Sequence, residues 1–192
     1  HALFGKDLRF ERLGLVIADE EHRFGVAQKE KLKSLSQLNP EFPAEYLAMS
    51  ATPIPRTLHM ALSGLREVSV IATPPPGRKG IQTRCYYRDS EQVELAIRAE
   101  LSRGGQVFVI HNRISSLEQR ADELRAQFPS AVIRTASGKM NRKELEQTLI
   151  EFINRQLQVL VCTTIIENGL DMPNANTIIV DHATQLGLAQ LY

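Results

Sequence analysis

Short apolar runs alternate along this chain with stretches whose apolar residues recur every three or four positions, and this alternation constrains the fold more than any other feature. The runs near Leu15–Ala18, Tyr46–Met49, Val68–Ile71, Thr83–Tyr87, Val107–Ile110, Val132–Thr135, Val159–Cys162 and Thr177–Val180 read as strands. Between them, Val93, Ile97 and Leu101 are spaced for one face of a helix, as are Leu117, Ala121, Leu124 and Phe128, and then Leu145, Leu149, Phe152 and Ile153. Ser116 followed by Gln119 fits a capping box opening the second of these helices. Strands alternating with helices at this spacing predict an α/β fold of parallel sheets flanked by helices.

The run Thr73-Pro74-Pro75-Pro76-Gly77-Arg78-Lys79-Gly80 interrupts the pattern. Three prolines cannot sit inside a helix or a central strand, so the segment is expected to be a stiff, extended crossover with a turn. It divides the chain into residues 1–73, a linker at 74–80 and residues 81–192. The first part holds too few strands for a complete doubly wound domain, and the second holds nearly a full set. The chain opens at His1 in mid-phrase and stops at Tyr192 in what reads as the first turn of a helix, so a larger parent protein is expected.

Composition narrows the classes. At 192 residues and 43% hydrophobic content the chain can fill one large or two small cores. A net charge of +1 excludes a strongly basic nucleic-acid coat and leaves room for a local basic groove. No run is long enough to cross a bilayer and no basic-then-apolar leader opens the chain, so no membrane role and a cytoplasmic location are expected. Cys85 and Cys162 both lie in apolar runs without a CxxC or Cys/His cluster, which predicts buried reduced thiols rather than zinc ligands.

Three constellations carry chemistry. Asp19-Glu20-Glu21-His22 follows the run Leu15–Ala18, which places two adjacent carboxylates at a strand's carboxyl end, where open α/β sheets bind ligands. Asp19 suits a magnesium ion held through its hydration shell, and Glu20 suits the orientation of water attacking a γ-phosphate. The other reading of these four residues is an acid-rich helix N-terminus. Met49-Ser50-Ala51-Thr52-Pro53-Ile54-Pro55-Arg56-Thr57 ends a second strand. There Ser50 and Thr52 can reach a neighbouring carboxylate, and Pro55 suits the first turn of a helix. Cys162-Thr163-Thr164-Ile165-Ile166-Glu167-Asn168-Gly169-Leu170-Asp171 ends a third. Thr163 and Thr164 offer hydroxyl and amide donors to a phosphate, Gly169 permits close backbone approach, and Asp171 suits a ribose hydroxyl or an arginine.

Together with His111-Asn112, these motifs resemble those of superfamily-2 helicase motors over nearly all of the chain. Within that superfamily, Leu62–Glu67, Ile165–Asp171 and Leu186–Leu191 look like the transcription-repair coupling factors, whereas Pro75-Pro76-Gly77-Arg78-Lys79 has the flavour of the RecG helicases. DEAD-box RNA helicases would read Asp-Glu-Ala-Asp at positions 19–22. The resemblance implies the C-terminal part of one RecA-like lobe followed by most of a second, with ATP clamped between the lobes, magnesium as cofactor and double-stranded DNA lying across both. Asp19 and Glu20 would take the metal and water-activating roles, and His22, Ser50 and Thr52 would relay the nucleotide state. Asn112, Arg113, Thr163 and Thr164 would touch the DNA backbone, and Gly169 and Asp171 would face the nucleotide. His111 or Arg113 serving only as a polar cap of the strand end remains a second reading. RNA polymerase and an excision-repair protein would be partners through regions outside this chain.

The departures from the pattern define further expectations. No G-x-x-x-x-G-K-[ST] loop is present, so the lysine and backbone cradle for the β- and γ-phosphates are missing from these residues. The Gln-x-x-Gly-Arg-x-Gly-Arg segment that carries the arginine finger, typically worth about a thousandfold or more in phosphoryl transfer, would follow Tyr192. Ser137-Gly138 stands where similar motors read His-Gly. The resulting expectation is an ATP-dependent double-stranded DNA translocase whose 192-residue piece is inactive alone. A RecG-type fork-remodelling helicase and a non-hydrolysing docking module are the alternatives.

Overall fold

The computed structural model describes residues 10, 12–21, 24–37, 42–51, 67–77, 80–87, 91–164 and 172–191. The chain divides into two compact units, His1–Pro74 and Pro75–Gly187, with the division inside the proline run. That run is extended as its prolines require, and turns at Pro76 and Gly77, where Gly77 has φ +84°.

In the first unit, β1 (Leu15–Asp19), α1 (Val26–Ser36) and β2 (Glu45–Met49) form a parallel strand pair with a connecting helix. Leu15 pairs with Glu45 and Asp19 with Met49. Alternate residues of β1 point to opposite faces. Val16 and Ala18 pack with Leu32 and Ala44, and Phe24, Leu35 and Tyr46 close around them. Leu15, Ile17, Leu47 and Met49 remain exposed. No acid lies in the first turn of α1, and its Gly25 N–H is held by Gln28 Oε1 at 3.1 Å. Asp19 ends β1, and Glu20 and Glu21 follow it in a turn ahead of α1, with the Glu21 carbonyl accepting from Phe24 N–H at 3.1 Å.

The second unit contains α2 (Glu91–Ser102), β3 (Val107–Ile110), α3 (Leu117–Gln127), β4 (Ile133–Ala136), α4 (Arg142–Ile153), β5 (Val159–Cys162) and β6 (Thr177–Val180), and a short α5 (Leu188–Leu191) follows in the chain. Its sheet is wholly parallel in the order β4-β5-β3-β6. A parallel sheet covered on both faces needs strands that are apolar throughout, and the sequences VFVI and VLVC of β3 and β5 meet that need. Val107, Val109, Val159 and Val161 pack beneath Ile97 of α2 and Leu117, Ala121 and Leu124 of α3. Phe108, Leu160 and Cys162 pack on the other face with Phe152 of α4. Asn141 caps α4 by accepting from Glu144 N–H at 2.8 Å. At the far end of α4, the buried Gln106 side chain donates to the carbonyls of Phe152 and Leu157, both at 2.6 Å.

Four expectations need correction. Residues 68–71 and 83–87 are not strands: they pair with no neighbour among the described residues, and Val70, Ile71 and Tyr87 stand in solvent. An apolar run becomes a strand only where an adjacent edge accepts its hydrogen bonds. Cys85 shares that exposure, so only Cys162 is a buried thiol. The strand expected at 132–135 runs Ile133–Ala136. Ser116 precedes α3 without capping it, because its hydroxyl bonds His111 Nε2 at 2.8 Å, while Gln119 reaches Glu123 instead.

Burial raises the Cys162 thiol from 9.0 to about 12, because a thiolate there would be desolvated. As pH rises through 9.0, the unfolded chain ionises this thiol and the folded one does not, so its contribution to stability falls above that pH. A thiol-exchange titration at pH 8 is expected to find Cys85 reactive in the native protein and Cys162 reactive only after denaturation.

A second prediction concerns Glu100, 2% exposed on α2, whose Oε2 is bonded by Arg103 and, at 2.6 Å, by Thr177 Oγ1. Its other oxygen is buried, has no hydrogen-bond partner among the described residues and faces Gly105. A Cβ on Gly105 would stand 1.8 Å from that oxygen. Gly105→Ala must displace an anchored side chain, and urea unfolding should show a loss of about 1–3 kcal/mol.

Candidate functional site

The parallel register of the first unit brings two of the sequence motifs together. Asp19 and Met49 are opposite each other at the strands' carboxyl ends, so Glu20 and Ser50 emerge side by side. Ser50 Oγ donates to Glu20 Oε2 at 3.4 Å. Glu20 turns out of the strand with φ +49°, in the left-handed region that side chains rarely occupy. Glu21 is tied down differently, accepting from the Tyr46 hydroxyl at 3.0 Å. Asp19 is exposed, and among the described residues no ion pair or hydrogen bond engages its carboxylate. The three acids thus have three situations: one open, one steered by a hydroxyl and one fixed to the fold. His22 and Thr52 lie outside the described residues, as do Pro55, Gly169 and Asp171.

Magnesium takes one or two carboxylates and completes its octahedron with water and phosphate oxygens. Among the described residues no group of three or more His, Cys, Asp or Glu side chains could hold a metal. The adjacent carboxylates of Asp19 and Glu20 fit the sparser magnesium pattern.

In the second unit the carboxyl ends of all four strands share one rim. Thr163 N–H donates to Ala136 O at 3.2 Å, and His111 N–H to Cys162 O at 2.7 Å. Asp181 N–H donates to Ile110 O at 2.9 Å, and Thr164 N–H to Asn112 Oδ1 at 3.3 Å. The amides of Thr163 and Thr164 are therefore engaged within the rim, and Thr163 is buried, while Thr164 is exposed. Arg113 is exposed and forms no ion pair among the described residues, leaving its guanidinium open to an anion.

The sequence reading left Asp181, Arg120 and Ser116 out of this rim. Asp181 Oδ2 accepts from His111 Nδ1 and Arg120 Nε, each at 2.9 Å. The only local signal was an acid directly after the apolar run of β6. Its partners are 61 and 70 positions away, beyond the reach of any periodicity.

These parallel sheets, flanked by helices and ending in acidic and threonine-bearing rims, are RecA-like helicase domains. Residues 90–190 match the helicase conserved C-terminal domain, and the chain belongs to that family. Residues 1–61 match the DEAD/DEAH box helicase model. Over its whole length the chain is similar to curated transcription-repair-coupling factors. It is 46% identical to that of Staphylococcus haemolyticus (strain JCSC1435) and 49% identical to that of Myxococcus xanthus, covering 16% of each. The chain thus spans about a sixth of those relatives' length. Among solved structures it resembles RecG bound to a three-way DNA junction, with TM-score 0.74, 35% identity, all of this chain covered and 25% of that one. The helicase Lhr of Mycobacterium smegmatis, bound to ssDNA and AMP-PNP, shares the fold at TM-score 0.58 and 20% identity, with 87% of this chain and 24% of that one covered. Among the described residues no helix is long and apolar enough to cross a membrane.

Proposed function

We propose that this chain is the motor portion of an ATP-dependent double-stranded DNA translocase of the transcription-repair-coupling type, acting in the cytoplasm, where DNA and ATP meet. Residues 1–73 would be the C-terminal part of the first RecA-like lobe, 74–80 the linker and 81–192 most of the second lobe. The observation that carries the reading is the parallel register of β1 and β2, which sets Asp19 and Glu20 beside Ser50 at one sheet edge. Likeness to coupling factors at 45–49% identity supports the particular type.

Asp19 would hold magnesium through water, and the ion would neutralise charge on the transferring phosphate. Glu20 would orient the attacking water, with Ser50 fixing the carboxylate's rotation. His22, Ser50 and Thr52 would pass the nucleotide state onward. In the second lobe, Gly169 and Asp171 are the proposed nucleotide contacts, and Asn112, Arg113, Thr163 and Thr164 the proposed phosphate-backbone contacts. Backbone contacts carry no sequence information, which suits a motor that moves along any duplex. Displacement of a stalled RNA polymerase and recruitment of an excision-repair protein would proceed through other regions of the parent.

The test compares the full-length protein with the 192-residue chain. Full-length protein should hydrolyse ATP faster with duplex DNA and strip a third strand from a triplex. The chain alone should show no turnover above buffer, because the lysine loop for the β- and γ-phosphates is not among its residues. Robust DNA-stimulated turnover by the chain alone would overturn the second point. DNA binding without hydrolysis by the full-length protein would instead favour a docking module. The RecG likeness sustains a second reading, a fork-remodelling helicase. Regression of a model fork without release of a stalled polymerase would select it.

A further inference from the structure

The rim of the second domain contains a buried polar linkage that none of the proposed contacts uses. His111 is 3% exposed, and the side chains of Asp181 and Arg120 are 8% and 11% exposed. In the neutral-ring tautomer that suits a carboxylate acceptor, Nδ1 carries the proton and faces Asp181 Oδ2 at 2.9 Å. Nε2 then accepts from the Ser116 hydroxyl at 2.8 Å. Arg120 Nε completes the set on Asp181 Oδ2 at 2.9 Å. Ser, His and Asp at such distances also describe a hydrolytic relay. Here the carboxylate is shared with an arginine, and so deeply buried a ring gives a substrate little approach. The arrangement is a strut.

The strut closes a loop. His111 and Ser116 bound a short segment with Arg113 at its exposed tip, and the ring-to-hydroxyl bond ties the two ends together. Ser116 N–H donates to the Arg113 carbonyl at 3.2 Å, and Asn112 Oδ1 accepts from Thr164. The backbone of Arg113 is thereby fixed while its guanidinium stays open. A donor held in place loses less freedom on meeting a phosphate than one on a loose loop.

We infer that His111 is a positioning residue for DNA: its ring, bridging Asp181 and Ser116, presets the Asn112–Arg113 loop for a backbone phosphate. The inference rests on the reading of Arg113 as a phosphate contact. Binding of the full-length protein to a labelled duplex at fixed salt tests both. His111→Asn keeps a donor toward Asp181 and loses the reach to Ser116. Ser116→Ala opens the loop and leaves the buried carboxylate paired, so it remains informative should the histidine variant fold poorly. Each is expected to weaken binding about three- to tenfold, and less than about twofold when Arg113 is already Gln, because coupled residues are non-additive.

Equal losses in both backgrounds would show a general structural effect and overturn the inference, as would no loss in either. If Arg113→Gln alone leaves affinity unchanged, the phosphate reading itself fails and takes the inference with it.

Discussion

Glu20→Gln in the full-length protein is expected to abolish most ATP hydrolysis while ATP and DNA binding survive. The amide has the carboxylate's size and can still accept the Ser50 hydroxyl, found at 3.4 Å in the parent geometry. It cannot take a proton from, or align as strongly, the water proposed to attack the γ-phosphate. Loss of a positioned acid–base group typically costs about 10²–10⁴-fold in rate. Single-turnover hydrolysis beside equilibrium binding of a nucleotide analogue separates this effect from lost affinity. Unchanged turnover would remove Glu20 from the chemistry. Asp19→Asn provides the contrast, since weakened magnesium retention should appear as a higher metal requirement.

The largest effect on stability is expected at Phe152. Its side chain is fully buried on α4, its ring lies 4.6 Å from that of Phe108, and its carbonyl accepts from Gln106. Phe152→Ala leaves a cavity between helix and sheet that neighbours in a parallel core cannot fill, at a cost of about 3–5 kcal/mol. For a domain of this size, melting should fall by about 15 °C or more. Ile153, the next residue, is 41% exposed, and its truncation should cost under about 1 kcal/mol. Comparable losses at the two positions would mean that the sheet-facing side of α4 is misassigned.

That pair of neighbours also shows how far the sequence could be read. Periodicity placed both residues on one helix but could not rank them, because at a helix edge the ranking depends on what packs opposite. The continuous apolar runs of β3 and β5 were legible because a strand covered on both faces has no polar positions to obscure it. The runs at 68–71 and 83–87 looked similar, yet no described edge pairs with them, a fact of tertiary arrangement rather than composition. The meeting of Glu20 with Ser50 was foreseeable because each motif ends a strand. The His111–Asp181–Arg120 linkage was not, since strand order alone decides that β6 lies beside β3.

The backbone of Glu20 has an implication for anyone altering this protein. A left-handed conformation at a residue with a side chain typically costs on the order of 1 kcal/mol or more, and glycine escapes most of that penalty. Glycine at position 20 would thus relieve the backbone while adding freedom to the unfolded chain, so its net gain in stability is small, and it would remove the carboxylate proposed to steer the attacking water.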